Sequence, residues 1–281
     1  MIGYYFLKLT NSLFPLPSHP FNLNNDGIMT YSKWQYSKGI ETIKFFLNHA
    51  GSAQAMFKDK TVVDIGCGAG GKTLYYASQG VKKIYGLEIL QKYEAEAKGL
   101  AKELGLESKF EFIATDASKT PFKTGTIDTI IINDAIEHVD DPSAVISECM
   151  RILAPGGKLY MNFPPYYHPY GAHLSDAIGM PWVHVFFSDK TLIRLYKNKV
   201  KNLPDGKERV DFRIAYKEGR PYFSYINKIT VKRFRNIVRT LGHKPVYYKE
   251  VPLRNALAPL AKLPILNELF TKMVVCIIEK K

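Results

Sequence analysis

At 281 residues, 46% of them hydrophobic, the chain is long enough for one large α/β domain with insertions and apolar enough for a true core. No stretch reaches the roughly 18 continuous apolar residues of a membrane span, and MIGYYFLKL at the N-terminus has neither a basic leader nor a small-residue cleavage site, so neither a spanning helix nor a secretory signal is expected. The net charge of +13 is unevenly placed, with 17 basic and 18 acidic residues up to Phe186 and 22 and 8 from Phe187 onward; such an excess marks either an anionic partner (a phosphorylated small molecule, a membrane surface or a nucleic acid) or simple solubility.

Three cysteines, Cys67, Cys149 and Cys276, are odd in number and lack metal-type spacing. This fits a reduced, cytoplasmic setting, with membrane association as the variant the basic last third suggests.

Residues 1–29 are mixed. Tyr4, Tyr5, Phe6, Leu7, Leu9, Leu13 and Phe14 are apolar, and Pro15, Pro17 and Pro20 break any helix. A lid, a membrane-touching segment or a crossing arm all suit this pattern. Tyr31 to His49 reads as a helix, with Tyr36, Ile40, Ile43 and Leu47 on one face.

The organising stretch is Val62 to Gly71, VVDIGCGAGG. A β-branched run ends in Asp64 and Ile65. Gly66, Gly68, Gly70 and Gly71 then allow a sharp turn and the close approach of a ligand. Cys67 in this loop reads as a small space-filler. A short helix from Lys72 to Gln79, closed by Gly80, completes a strand–turn–helix unit of nucleotide-binding type. The pattern Gly66-x-Gly68-x-x-Gly71 alone also fits a dinucleotide fingerprint.

Further strands are expected at Lys83–Leu87, Phe110–Ala114, Ile127–Ile132 and Lys158–Phe163, separated by helices at Leu90–Leu104 and from Pro142 to near Leu153, the latter capped by Asp141. The second strand ends in Glu88, whose two oxygens can accept from both hydroxyls of a ribose. The third leads into Thr115-Asp116-Ala117, where the acid can accept from an adenine amino group. Asp64 can face a methionine end. These acids favour S-adenosylmethionine over a dinucleotide.

The segment PPYYHPYGAHLSDAIGMPWVHVFFSD leaves the fifth strand at the expected rim of the site. It concentrates Tyr166, Tyr167, Tyr170 and Trp182 with His168, His173 and His184. Aromatic walls with a few polar groups suit a substrate pocket; a bare loop is the bland alternative. Lys190 to Asn227 reads as a basic, irregular cap containing a Pro204-Asp205-Gly206 turn. Thr230 caps a helix that Gly242 ends. Pro245–Val251 and Met273–Ile278 read as the last strands. Leu253–Phe270 between them is apolar, either a second substrate wall or a surface helix touching lipid.

The pieces VVDIGCGAGG, YGLEI, ATDASKTPF, IDTIIINDAIEHVDDP and MRILAPGGKLYM, spanning roughly Thr61 to Phe163, resemble class I S-adenosylmethionine-dependent methyltransferases of the small-molecule "methyltransferase 11" type. The resemblance implies an α/β, Rossmann-like fold: a seven-stranded, mostly parallel sheet with an antiparallel last strand, helices on both faces and an inserted cap. It divides the chain into an N-terminal arm and helix (1–50), a cofactor-binding core (51–163), a substrate-binding insertion (164–229) and the C-terminal part of the sheet (230–281). It assigns Asp64, Gly66, Gly68, Gly70, Glu88, Ile89, Asp116, Ala117 and Asn133 to the cofactor, while the aromatic segment that follows offers Tyr166, Tyr167, Tyr170 and Trp182 to a small or lipid-like acceptor.

A neutral hydroxyl acceptor needs a base, and histidine suits neutral pH. His173 is the first candidate, because Gly171 and Ala172 leave room beside it; His184 and His138 follow. Some methyltransferases with an acid-x-x-Glu-His pattern bind a divalent metal there, and Asp134, Glu137 and His138 with a later histidine offer that alternative. A nucleic-acid methyltransferase would use the basic last third, although Asn162-Phe163-Pro164-Pro165-Tyr166 only resembles a base-amine motif and follows the fifth strand rather than the fourth. A non-catalytic binding protein need not keep Asp64, Glu88 and Asp116 together.

Overall fold

The computed structural model describes residues 2–264 and 266–281, and of Ile2 only the backbone. Met1, in the N-terminal arm read from the sequence, and Ile265, in the apolar stretch near the C-terminus, lie outside them. The chain gathers into two compact units: residues 1–30, 164–231 and 252–272 form one, and residues 31–163, 232–251 and 273–281 the other. Tyr31–Ala50 thus belongs with the sheet, and residues 252–272 belong with the insertion.

The second unit is built on a seven-stranded sheet. Its strands are β1 (Thr61–Ile65), β2 (Lys83–Glu88), β3 (Phe110–Ala114), β4 (Ile127–Asn133), β5 (Leu153–Phe163), β8 (Tyr247–Pro252) and β9 (Thr271–Glu279); β6 (Ile214–Lys217) and β7 (Arg220–Phe223) form a separate hairpin. The order is β3-β2-β1-β4-β5-β9-β8. β1 to β5 pair in parallel, and β9 runs antiparallel to β5 from Lys158↔Glu279 to Phe163↔Val274. The last strand therefore inserts between β5 and β8. The order reverses beside β1, so right-handed crossovers send successive helices to opposite faces.

Strands buried on both faces read as nearly continuous apolar runs, as Ile130-Ile131-Ile132 and Val274 to Ile278 do. Aromatic rings fill the space beside them: Phe57 stacks on Tyr76 with centroids 5.0 Å apart, and Phe46 meets Tyr160 edge-on at 5.4 Å. The Tyr76 hydroxyl is satisfied by Thr42 at 2.7 Å.

The helix expected over Tyr31–His49 is two helices, Tyr31–Ser37 and Gly39–Ala50. The break falls where the chain must pass Tyr75: a Cβ on Gly39 would lie 2.1 Å from its ring. The helix after the glycine turn runs Gly71–Ala77, and the one capped by Asp141 runs Pro142–Ile152, with the Asp141 carboxylate accepting from Ser143 and Ala144.

The first unit departs further from expectation. The N-terminal prolines do not abolish helix there. Helices form at Ile2–Asn11 and Pro20–Asn25, and Pro20 starts the second, where its missing N–H is no loss, with His19 as the cap. Lys190–Asn227 is not irregular either: helices Asp189–Val200 and Gly206–Arg213 lead into the β6–β7 hairpin. Leu192, Ile193, Leu195, Tyr196 and Val200 are buried at helical spacing, a signal obscured by the lysines between them. Glu218-Gly219, both at positive φ, make the hairpin turn.

This unit encloses its own apolar cluster, including Leu7, Ile178, Leu192, Leu195 and Ile226. Beside it lies a buried ionic knot. Asp176, with a fully buried side chain, receives Arg209 at 3.1 Å, Arg213 at 3.4 Å and the Tyr196 hydroxyl at 2.8 Å. Arg209 also reaches Asp205 and Asn22, and both guanidinium groups lie over the Phe21 ring.

Candidate active site

The carboxyl ends of β1, β2 and β3 carry the three acids singled out in the sequence. Asp64 is buried on β1, and the Thr73 hydroxyl donates to its Oδ2 at 2.5 Å. Burial pushes this carboxyl up to about 6, against the opposing pull of Thr73 and Lys72. Its pKa lies above the unfolded value of about 3.8, so the folded protein holds the proton more tightly, and the group's contribution to stability is lost as pH rises through about 6. The advantage of Asp64→Asn over the parent in urea unfolding should therefore grow between about pH 4 and about pH 6 and level off at on the order of 2–3 kcal/mol. An advantage that shrinks over that window would exclude the charged, buried Asp64. The comparison must be pairwise, because His19, His168 and His184, each held down to about 4 by burial, give the parent an opposing slope.

Glu88, half-buried at the end of β2, organises the turn. Its Oε2 accepts from the Gly68 amide at 3.0 Å and its Oε1 from Leu90 at 3.1 Å. Both oxygens are thus engaged by backbone amides, and a carboxylate oxygen can accept a second hydrogen bond. Ile89 beside it is an exposed apolar side chain, 71% accessible. Asp116 is exposed after β3, with one oxygen taking the Ser118 amide at 2.7 Å, and Ala117 follows half-buried.

Gly66, Gly68 and Gly70 all have positive φ, which only glycine adopts freely. Their nearest neighbours are the protein's own: a Cβ would meet Ala135 at 2.5 Å, Gln35 at 2.9 Å and Ala97 at 2.7 Å respectively. Gln35 is a residue the sequence reading missed. Almost fully buried, it accepts from the Gly71 amide at 3.2 Å, so the helix Tyr31–Ser37 clasps the turn. The available signal was a polar pair, Ser32 and Gln35, both buried on the helix. Asn133 is committed inward. Its side chain accepts from Lys72 at 2.9 Å and donates to Thr42 and Asn162, so what it offers a ligand is position rather than a free amide. Cys67 is buried, its thiol pushed well up by burial, as a space-filler should be.

The donor set suits S-adenosylmethionine. A buried carboxylate near the end of β1, a carboxylate at the end of β2 and an exposed isoleucine beside it flank the glycine turn.

In the other unit the expected acceptor residues gather into one group. Tyr166 packs against Tyr167 at 5.2 Å and His184 at 4.8 Å, and the Trp182 indole donates to the Tyr167 carbonyl at 3.2 Å. Tyr170 lies beside His168, whose Nδ1 accepts its amide. His173 is half-buried at φ +51°, held by Tyr225, whose hydroxyl donates to the His173 carbonyl at 2.8 Å. Gly171 does not leave room beside it: a Cβ there would lie 1.9 Å from the Tyr166 carbonyl oxygen, so the glycine serves a close backbone approach. His138 is exposed and Glu137 buried on the loop after β4, with Glu137 pushed well up by burial and by Asp134.

A family model described as "Methyltransferase domain" matches residues 63–161. Over 102 residues the chain is 38% identical to norajmaline N-methyltransferase of Rauvolfia serpentina, covering 36% of this chain and 35% of that protein. It is 34% identical to the chloroplastic tocopherol O-methyltransferase of Arabidopsis thaliana, covering 36% and 29%. The match thus spans about a third of the length of these curated relatives. Among solved structures, geranyl diphosphate C-methyltransferase from Streptomyces coelicolor A3(2), in complex with Mg2+, geranyl diphosphate and S-adenosyl-L-homocysteine, superposes with a TM-score of 0.54 at 15% identity, covering 88% of this chain and 82% of that one. Sheet order, glycine turn, strand-end acids and family match agree: this chain carries the Rossmann-like domain of the class I S-adenosylmethionine-dependent methyltransferases, with its signature in residues 63–161.

Proposed function

We propose that the protein is an S-adenosylmethionine-dependent methyltransferase that methylates an oxygen of a small or lipid-like acceptor. The observation that carries the reading is the set of acids at the strand ends, Asp64, Glu88 and Asp116, around a glycine turn held by Gln35. Bound S-adenosylmethionine supplies a methyl group already made electrophilic by its sulfonium, so the protein's part is alignment and a dry site. Asp64 faces the positive methionine end, Glu88 orients the ribose and Asp116 the adenine. Tyr166, Tyr167, Tyr170 and Trp182 form the apolar wall for the acceptor. His173 takes the proton from the acceptor hydroxyl as its oxygen bonds to the methyl carbon and the carbon–sulfur bond breaks. His184 is a weaker base, since burial holds it down to about 4. Relatives named for norajmaline, tocopherol and geranyl diphosphate support a small or lipid-like acceptor.

Replacing Glu88 with alanine should weaken S-adenosylmethionine binding by about 1–3 kcal/mol, for loss of charge-assisted hydrogen bonds and of the brace on Gly68. Unchanged affinity in calorimetry would remove Glu88 from the site. The acceptor class is tested by methyl transfer from labelled S-adenosylmethionine into an extract separated into lipid, small-molecule, RNA and protein fractions. Label in lipid or small molecules is expected. Label in RNA would make the basic last third the substrate surface, and loss of transfer on adding a chelator would favour a metal-assisted reaction at Glu137 and His138.

A further inference from the structure

The helix Ile2–Asn11 is apolar on faces it does not bury. Leu7 is fully buried in the cluster of its unit. Tyr5 and Leu9, two residues to either side and hence on nearly the opposite face, are 60% and 67% exposed, and Phe6 is 58% exposed. The exposed series continues past the helix through Leu13, at 76%, to Phe14 and Leu16. A helix on a soluble surface turns polar residues outward. Here six large apolar residues stand exposed within twelve positions, and Lys8 is the one charged residue from Ile2 to Asn25. Such a contiguous patch marks an interaction surface.

What lies beside the patch identifies its partner. Phe6 meets the Phe187 ring at 6.2 Å, and Val185 and Phe186 just before it are also exposed. The helix Asp189–Val200 follows, and its Arg194 guanidinium sits 4.2 Å from the centre of the Tyr4 ring. Lys190, Arg194, Lys197 and Lys201 recur at spacings of four, three and four residues, one stripe along that helix and its end. Between Ala177 and Pro204 the one acid is Asp189, itself paired with Lys228 at 3.3 Å. Exposed aromatic and leucine side chains flanked by a row of unneutralised cations are the chemistry of a protein that lies on an anionic bilayer: the apolar side chains enter the acyl boundary and the cations meet the headgroups.

We infer that residues 5–16, with Val185 and Phe186, form a bilayer-docking face, and that the stripe Lys190–Lys201 selects anionic lipid. No helix among the described residues is long and apolar enough to cross a membrane, so the attachment is to the surface. The inference stands independently of the methyl-transfer reading.

The test is co-sedimentation of the full chain with extruded vesicles of phosphatidylcholine alone or of phosphatidylcholine mixed with phosphatidylglycerol. The protein should pellet with the anionic vesicles and be released by high salt. The double variant Leu9→Asp with Leu13→Asp should lose binding while keeping the parent's thermal melt and S-adenosylmethionine affinity, since both side chains are exposed. Lys190→Glu with Lys201→Glu should lower partitioning into anionic vesicles by about tenfold or more. Failure to bind anionic vesicles overturns the proposal, as does equal binding to neutral ones. A parent that dimerises in solution, and a leucine variant that is monomeric, would show instead that a second copy of the chain covers the face.

Discussion

Replacing Asp176 with alanine is expected to destabilise the protein by about 3–5 kcal/mol, because it leaves two buried arginines without their shared counter-ion. Arg209 and Arg213 are both nearly inaccessible, and each has a guanidinium nitrogen with no hydrogen-bond acceptor even when Asp176 is present, facing aromatic rings instead. Removal of the carboxylate therefore leaves Arg213 buried without a counter-ion and Arg209 with Asp205 alone. The knot also joins distant parts of the chain: Asn22 near the N-terminus bonds Arg209 at 2.9 Å and the Asp176 carbonyl at 3.1 Å. A chemical melt of Asp176→Ala should show a lowered midpoint. Asp176→Asn should fall between the two, since it keeps an acceptor for Tyr196 but not the charge. A midpoint within experimental error of the parent would mean that the knot is solvated or relaxes on truncation.

The second large effect concerns chemistry. His173→Ala should cut turnover by about 100-fold or more with S-adenosylmethionine affinity intact, as loss of a general base does. The structural alternative is that His173 only shapes its loop, since its backbone is at positive φ and its carbonyl is held by Tyr225. His173→Asn separates the two, because asparagine tolerates the left-handed conformation but is no base at neutral pH. An asparagine variant with near-parent turnover would exclude the base role. A base role further requires that the parent's rate fall on the acidic side as the imidazole protonates and that this limb vanish in the variant.

The sequence by itself determined the sheet. Apolar runs of strand length, each closed by an acid, glycine or turn residue, placed β1 to β4 to within a residue and also the end of β5, whose start at Leu153 lies well before the expected Lys158, because a strand buried on both faces leaves little freedom in composition. The same local signals picked out the glycine turn and Asp64, Glu88 and Asp116, whose positions follow from strand ends. The cap of Pro142–Ile152 was equally legible, since Asp-Pro specifies it within two residues.

What tertiary structure alone decided depends on partners far apart in the chain. Residue 39 must be glycine because Tyr75 occupies the place of a side chain, and no pattern within 31–49 records that ring. Gln35 matters because it reaches Gly71, and Gly171 because Tyr166 crosses it. The basic stretch after Lys190 folds as helices and a hairpin because its buried apolar positions find Leu7 and Ile178 elsewhere in the unit, while composition showed only its basic character. Asp176 lies in the aromatic segment after β5. Only the fold shows that Arg209 and Arg213, more than thirty residues away, converge on it. Local backbone preferences can be read from neighbours in sequence, whereas burial, charge pairing and close approach are properties of neighbours in space.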